Sequence, residues 1–244
     1  MARIDDLLEE ALKQLPAKPD DSAAQAVKKR YSEQISQVVA LAIAEELRNR
    51  GLKEARPAGE GELGDSGAER RMAGGLGAKK VDVTWTTEES GLLLAISIKT
   101  INFRDRSTNN FQKNLVNRRG DMLMEAVTLH RRFPYAVLCG WFLLDKDAAN
   151  DGTKKRSSTF VNAHSRLKLF TGRNDPAGRE EQFENFYLML LDASPKAVSI
   201  KAFRVGDSSK ETKLGDVLDD LLRMVSERNP DFYEFEKGNL IKAS

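Results

Sequence analysis

The sequence contains very little cysteine and histidine, the side chains on which zinc and thiol chemistry depend. Cys139 is the single cysteine of 244 residues, and it lies inside the apolar run YAVLCGWFLL (135–144). This setting is typical of a small buried hydrophobe rather than of a nucleophile or half of a disulfide, and it favours a reducing environment. The two histidines, His130 and His164, are too far apart for a helical HExxH site. These absences argue against zinc enzymes and disulfide frameworks.

Long apolar runs are also missing, and the one match to a nucleotide-binding motif, GEGELG (59–64), follows no predicted strand and opens no predicted helix. The longest apolar run, 135–144, is about half of a membrane span. The N-terminal stretch MARIDDLLEEALKQL is acidic and amphipathic, unlike a leader peptide. The sequence has no GxxxxGK[ST] loop and no GxSxG elbow, which argues against a nucleotide cofactor and a serine-hydrolase triad. We expect a soluble, cytoplasmic protein with no membrane partner and no nucleotide cofactor.

Charge is nearly balanced overall, at +2, but it is distributed unevenly along the chain. Residues 101–119 carry five basic side chains against one acid, Asp105, whereas residues 215–240 carry seven acids against three bases. The basic segment fits a polyanion such as nucleic acid. A solvated charged surface is the alternative interpretation, and it explains most such clusters in soluble proteins.

The order of predicted elements indicates the fold class. Residues 21–50 have apolar residues near helical spacing, 51–78 hold eight of the 17 glycines and are predicted to be a flexible loop, and 79–100 read as a β-hairpin. A helix is predicted from about Asp121 to Arg132, followed by a central strand at 135–144. The remainder predicts a helix at 158–170, strands at 185–192 and 197–205, and a helix at 214–228. We therefore expect an α/β fold with a central mixed sheet and helices on both faces.

The hairpin KKVDVTWTTEESGLLLAISIKT (79–100) brings polar groups together. Alternation predicts Val81, Val83 and Trp85 on one face, with Asp82 on the other. If the turn is symmetric, paired positions sum to 179, and Asp82 lies opposite Ser97 on the strand that also carries Lys99. A carboxylate, a hydroxyl and an ammonium then converge, a set that suits Mg²⁺ with water and phosphate oxygens. A plain cross-strand salt bridge between Asp82 and Lys99 is the structural alternative.

Asp82 followed by Ser97-Ile98-Lys99 resembles the active-site signature of the PD-(D/E)xK superfamily of restriction-endonuclease-like, metal-dependent nucleases. The order of elements over about residues 25–145 is similar to the common core of that superfamily, and about 146–244 would be a C-terminal elaboration of a single nuclease domain, 1–244. The resemblance implies a Mg²⁺-dependent DNA endonuclease, with Mn²⁺ a possible substitute, that acts as a homodimer in restriction or phage defence. Val81 replaces the proline of the motif, and Ser97 replaces its first acid.

A metal ligand must therefore come from elsewhere. Some members with Ser-x-Lys supply the carboxylate from the following helix, and the candidate here is Glu125, with Asp121 one turn earlier. A salt bridge from Glu125 to a neighbouring arginine is the alternative interpretation. Glu69 is a second candidate ligand. The first helix offers acids for an accessory position: Glu33, Glu45 and Glu46.

The basic segment supplies candidate nucleic-acid contacts, because arginines and amides donate to phosphates and base edges. These residues are Arg104, Arg106, Asn110, Lys113, Asn114, Arg118 and Arg119. In this hypothesis Asp82 and Glu125 hold the metal, Lys99 positions water or stabilises charge, and Ser97 occupies the place of the lost acid. Two rival hypotheses remain. One is a nuclease-like module or subunit that binds nucleic acid without cutting, and the other is a structural subunit whose basic segment docks an acidic protein.

Overall fold

The computed structural model describes residues 3–58, 70–74 and 77–243 of the chain. The helices are α1 Arg3–Lys13, α2 Gln25–Asn49, α3 Leu115–His130, α4 Thr159–Leu167 and α5 Leu214–Arg228. The strands are β1 Arg70–Gly74, β2 Gly77–Val81, β3 Val83–Thr87, β4 Gly91–Ile101, β5 Val137–Asp145, β6 Asn185–Asp192, β7 Ser199–Arg204, β8 Glu211–Thr212, β9 Tyr233–Glu236 and β10 Asn239–Lys242. Within this part of the chain, no helix combines the length and apolar character needed to cross a bilayer.

A mixed six-stranded sheet with the order β3-β4-β5-β6-β7-β8 forms the centre of the molecule. Its middle strands β4, β5 and β6 are parallel, and the outer pairs are antiparallel. Helices α1, α2 and α5 pack on one face, and α3 and α4 pack on the other. The predicted α/β class, with a central mixed sheet covered on both faces, is confirmed. Strands β6 to β8 come from the segment 146–244, which was predicted to be a C-terminal elaboration. They belong to this sheet, so that segment is part of the same core.

Strand β5 is central because both of its faces are covered. Its residues from Val137 to Leu144 are all buried, and they alternate between the two hydrophobic clusters on either side of the sheet. Cys139 is fully buried, and burial raises the pKa of its thiol far above the ordinary value. The interpretation of Cys139 as a small core residue is confirmed.

Gly140 on β5 lies beside Ser97 of β4 and Phe186 of β6 in the parallel register. A Cβ atom at this position would come within 2.8 Å of the Phe186 ring, closer than carbon atoms pack. We predict that Gly140→Ala lowers the free energy of unfolding by about 1–3 kcal/mol through overpacking. Urea denaturation measures this effect, and the double variant Gly140→Ala/Phe186→Leu should recover part of the loss. An unchanged denaturation midpoint for Gly140→Ala would contradict the packing argument.

Three sequence predictions about local structure were wrong, each for a physical reason. The segment 51–78 was predicted to be loop, but the antiparallel pair β1 and β2 occupies part of it, because backbone pairing does not require apolar alternation. Helix α3 begins at Leu115 rather than at Asp121, since Leu115 is buried and Gly120 stands on the open side of the helix. Val81 does not share a face with Val83, because a bend at Asp82 separates β2 from β3.

The closing helix α5 was predicted either to cap the core or to form a dimer interface. Its apolar stripe is fully buried in the hydrophobic cluster that also contains residues of the sheet, α1 and α2. The stripe consists of Val217, Leu218, Leu221, Leu222 and Val225. The core-cap interpretation is therefore confirmed, and this stripe is not available as an interface.

Candidate active site

The candidate site lies where β4 passes the bend at Asp82 and faces helix α3. The observed register pairs Val83 with Ile96 and Trp85 with Leu94, and these positions sum to the predicted 179. A bulge follows Trp85, so the register changes only toward the turn. Asp82 immediately precedes Val83, and its carboxylate accepts a hydrogen bond of 2.6 Å from the backbone N–H of Ile98. This bond fixes Asp82 against the strand that carries Ser97 and Lys99.

The Lys99 ammonium lies between two carboxylates. Its Nζ atom is 3.6 Å from Asp82 Oδ2 and 3.4 Å from Glu125 Oε2. It also donates a hydrogen bond of 3.1 Å to Ser97 Oγ. Sequence reasoning had placed Glu125 near this site only as a candidate. The fold brings it there because α3 packs on the face of β4 that presents Ser97 and Lys99.

Glu125 is deeply buried, with 6% of its side chain exposed. Burial raises the pKa of Glu125 above its ordinary value, and the nearby charge of Lys99 offsets this effect only in part. Among the residues that the structure describes, Glu125 Oε1 has no hydrogen-bond partner. A buried carboxylate oxygen without a partner is costly, so a group that neutralises Glu125 would stabilise the site. Among the residues that the structure describes, the ion-pair partner of Glu125 is Lys99 and not the arginine of the alternative interpretation.

Lys99 stays charged despite its burial. Burial by itself would lower the pKa of Lys99, but the charges of Glu125 and Asp82 outweigh this effect and raise the pKa above its ordinary value. A lysine with a raised pKa holds its proton at neutral pH. Lys99 is therefore suited to orienting water or stabilising negative charge, and it is poorly suited to accepting a proton.

The residues present fit a divalent cation held by two carboxylates, Asp82 and Glu125. The unpartnered Oε1 of Glu125 is the observation that favours such a cation, since Mg²⁺ takes one or two carboxylates and completes its shell with water and phosphate oxygens. Across residues 3–58, 70–74 and 77–243, no group of three or more His, Cys, Asp or Glu side chains is placed to hold a metal. Glu69, the second candidate ligand, lies outside the described residues.

The other acids considered from sequence lie apart from this pair. Asp121 is exposed, and its carboxylate is 3.8 Å from the Arg118 guanidinium. Glu46 is buried and bonds Arg50, so it is part of the packing of α2. Glu45 is 3.9 Å from Arg3. Glu33 is the one accessory candidate whose side chain reaches the groove described next.

A groove of about 990 Å³ opens beside Asp82 and Lys99. Its walls are the N-terminal half of α2, the end of β4, the following loop and the start of α3. Of the described residues that line it, seven are basic and three are acidic, namely Glu33, Asp82 and Asp105. The basic residues are Lys28, Lys29, Lys99, Arg104, Arg106, Lys113 and Arg118. The excess of positive charge suits a polyanionic ligand.

Five of the seven predicted nucleic-acid contacts line this groove, namely Arg104, Arg106, Lys113, Asn114 and Arg118. The other two lie elsewhere. Asn110 is buried, and its side chain closes a local turn by accepting a bond from Gln112 N–H and donating to Thr108 O. The Arg119 guanidinium stacks on the Phe170 ring at 5.6 Å, so α3 directs it away from the groove.

Sequence reasoning missed the α2 wall of the groove. Lys28, Lys29 and Ser32 line it, and Asn102 at the end of β4 donates a hydrogen bond to Ser32 Oγ. A signal was present, because these α2 residues recur at helical spacing next to the buried positions Tyr31, Ile35 and Val39. The prediction used only the apolar positions of α2, so its polar positions were not recognised as a wall of the groove.

Comparison of the chain with protein-family models, with curated proteins and with solved structures found no match in any of the three. The functional assignment therefore depends on the site geometry and on the motif resemblance.

Proposed function

We propose that this protein is a metal-dependent nuclease of the PD-(D/E)xK class that hydrolyses phosphodiester bonds in DNA. The observation that carries the proposal is the position of the Lys99 ammonium between the Asp82 and Glu125 carboxylates, at the edge of a groove rich in basic side chains. An acid pair and a lysine are groups that metal-assisted hydrolysis uses, and the cationic groove suits a substrate with a phosphate backbone. A role in restriction or phage defence is part of this proposal and rests on the motif resemblance alone.

Each side chain has a proposed role in hydrolysis, in which a water oxygen attacks phosphorus and the bond to the leaving sugar oxygen breaks. The attacking water loses a proton to bulk water, and the leaving oxygen takes up a proton from bulk water. Asp82 and Glu125 would hold Mg²⁺ or Mn²⁺. The metal would supply positive charge for the phosphate oxygens and an acidified water. Lys99 would orient the attacking water or stabilise the negative charge that develops on the phosphate. Ser97, which accepts a bond from Lys99, would keep that ammonium in place.

The proposal is tested by incubating the wild-type protein with supercoiled and linear DNA in the presence of Mg²⁺, Mn²⁺ or a chelator. We expect nicking or linearisation that depends on the divalent cation and stops with the chelator. Discrete bands would indicate that a sequence is read, and a smear would indicate that none is read. DNA binding without cleavage in any divalent cation would contradict the nuclease assignment.

Metal binding has a readout that does not require activity. Mg²⁺ or Mn²⁺ should raise the Tm of the wild-type protein, because the bound cation would neutralise the charge of two buried carboxylates. A cation at ten times its Kd adds about 1.4 kcal/mol, which corresponds to a few degrees of Tm. The Glu125→Gln and Asp82→Asn variants should lose most of this shift, while Glu89→Gln, on the exposed turn before β4, should retain it. Equal shifts in all four proteins would place the cation elsewhere.

The second candidate function is nucleic-acid binding without cleavage. The observation that favours it is that Lys99 already pairs with both carboxylates, so the charges of the site are partly balanced without a metal. In this alternative, Ser97 marks a site that lost its acid and its catalytic role. The cleavage experiment separates the two functions. A homodimer, which the nuclease hypothesis implies for cutting both strands, would need a surface other than the buried stripe of α5.

A further inference from the structure

The N-terminal half of α2 presents a polar face to the groove. Gln25, Lys28, Lys29, Ser32 and Ser36 line the groove, three or four residues apart along the helix. This face lies next to the stripe that packs on the sheet. Two lysines beside two small hydroxyl residues leave room for a phosphate backbone to approach the helix closely.

The two lysines are available to a ligand to different degrees. The Lys29 side chain is 72% exposed, and its ammonium lies 3.7 Å from Glu33, which is itself exposed. Such a pair contributes little and exchanges readily with solvent. Lys28 is half-buried, donates to the backbone oxygen of Asp21 at 3.1 Å and lies over the Phe103 ring. Lys28 therefore has a defined position, and Lys29 is free to move toward a phosphate.

The α2 wall is fixed relative to the candidate active site. The Asn102 side chain, at the end of β4, donates a hydrogen bond of 3.1 Å to Ser32 Oγ. The backbone N–H of Arg104 donates to Asp21 Oδ1 at 3.0 Å, which ties the loop after β4 to the chain before α2. Lys99 is on the same strand, so these two hydrogen bonds join the α2 wall to the strand that carries Lys99.

The aromatic residues of the groove are not open to base stacking. Of the described residues that line it, Phe103 and Phe111 are the aromatic ones. Lys18 and Lys28 lie over the Phe103 ring, and Arg104 lies over the Phe111 ring at 5.1 Å. Proteins that bind single strands without sequence preference use exposed aromatic platforms. A cationic groove whose aromatic faces are covered fits the phosphate backbone of a duplex instead.

We infer that Lys28 and Lys29 form a phosphate-binding site for duplex DNA on the α2 wall of the groove. The site would hold the backbone beside the bond to be cut and would not read bases. The inference extends the proposed nuclease function, because the phosphates bound by α2 belong to the substrate that the Asp82, Lys99 and Glu125 site would hydrolyse.

The test is duplex binding by fluorescence anisotropy with the full chain, in chelator so that cleavage does not occur, over a series of salt concentrations. Lys28→Gln/Lys29→Gln should reduce the slope of log affinity against log salt by about 1.8, because each lost phosphate contact contributes about 0.9 on duplex DNA. Affinity should fall about tenfold or more at moderate salt. Lys28→Arg/Lys29→Arg should bind like the wild type. Lys53→Gln/Lys196→Gln, the same charge change at exposed sites outside the groove, should alter the slope far less.

Two additions keep the test decisive. Since Lys28 also contacts Phe103 and Asp21, the single variant Lys29→Gln and a thermal unfolding curve separate a lost contact from a lost fold. Equal losses in the groove pair and the control pair would overturn the inference, as would tighter binding of single-stranded DNA or of duplex RNA. Duplex binding that depends on Lys28 and Lys29 in a protein that never cleaves would support this site and reject the nuclease function.

Discussion

DNA cleavage by the Lys99→Met variant is expected to be at least about 10²- to 10³-fold slower than that of the wild type. The reason is that removing one group aimed at charge developing in a transition state costs a factor of this size. The raised pKa of Lys99 means that its charge is present in the wild type throughout the neutral range, so the ratio of the two rates should not change with pH in that range. Rates of supercoiled-DNA nicking in Mg²⁺ measure the effect.

The acids should behave as a pair. Asp82→Asn and Glu125→Gln are expected to lose activity to a similar degree, since each removes one of two carboxylates close to the same ammonium. Asp121→Asn is the matched control, because Asp121 is exposed one turn from Glu125 on α3 and makes no contact with Lys99 in the described structure. Activity that is lost in Asp121→Asn and retained in Glu125→Gln would identify Asp121, rather than Glu125, as the metal ligand supplied by α3.

The largest expected effect on stability comes from Glu184, which lies immediately before β6. Its fully buried carboxylate accepts hydrogen bonds from Arg173 at 3.0 Å, from Arg228 at 2.8 Å and from the backbone N–H of Leu138 at 2.7 Å. His130 Nε2 lies 3.3 Å from it. These contacts join α3, the start of β5 and the end of α5. Glu184→Ala would leave the buried Arg173 guanidinium without its carboxylate, and we expect a loss of about 3–5 kcal/mol.

Urea denaturation measures this loss as a lower midpoint with an unchanged slope. Glu180→Ala is the matched control, because Glu180 is in the same segment but forms an exposed pair with Arg131, and such a pair is worth at most about 1 kcal/mol. A Glu184→Ala protein as stable as the control would show that the buried network is not stabilising.

Glu184 also predicts a pH dependence. Burial would raise the pKa of Glu184, but the hydrogen bond and charge of His130 and the charge of Arg228 outweigh it and hold the pKa below its ordinary value of 4.5. A carboxyl whose pKa is lower in the folded state stabilises the protein above its unfolded pKa, and this stability is lost as the pH falls through the folded pKa. The wild type should therefore lose stability below about pH 4.5, with a shallower acid dependence in Glu184→Ala.

Much of the fold was predictable from local patterns. The apolar run at 135–144 predicted the central strand β5, and helical spacing predicted α2 and α5, because one buried face imposes its period on the sequence. The start of α3 was not predictable, since exposed Gly120 imitates a helix boundary while burial of Leu115 decides it. The bend at Asp82 was also missed, because an alternating pattern does not reveal where a strand changes partner.

The sequence by itself determined which polar side chains the candidate site contains and part of their arrangement. The period of a strand placed Ser97 and Lys99 on one face, and the predicted register placed Asp82 beside them, although a bulge shifts the pairing next to the turn. Only the tertiary structure decided that Glu125 reaches Lys99 and that Lys28 and Lys29 face the same groove as Arg104. These contacts join residues that are distant along the chain. They depend on which face of the sheet each helix packs against, and no local period in the sequence encodes that choice.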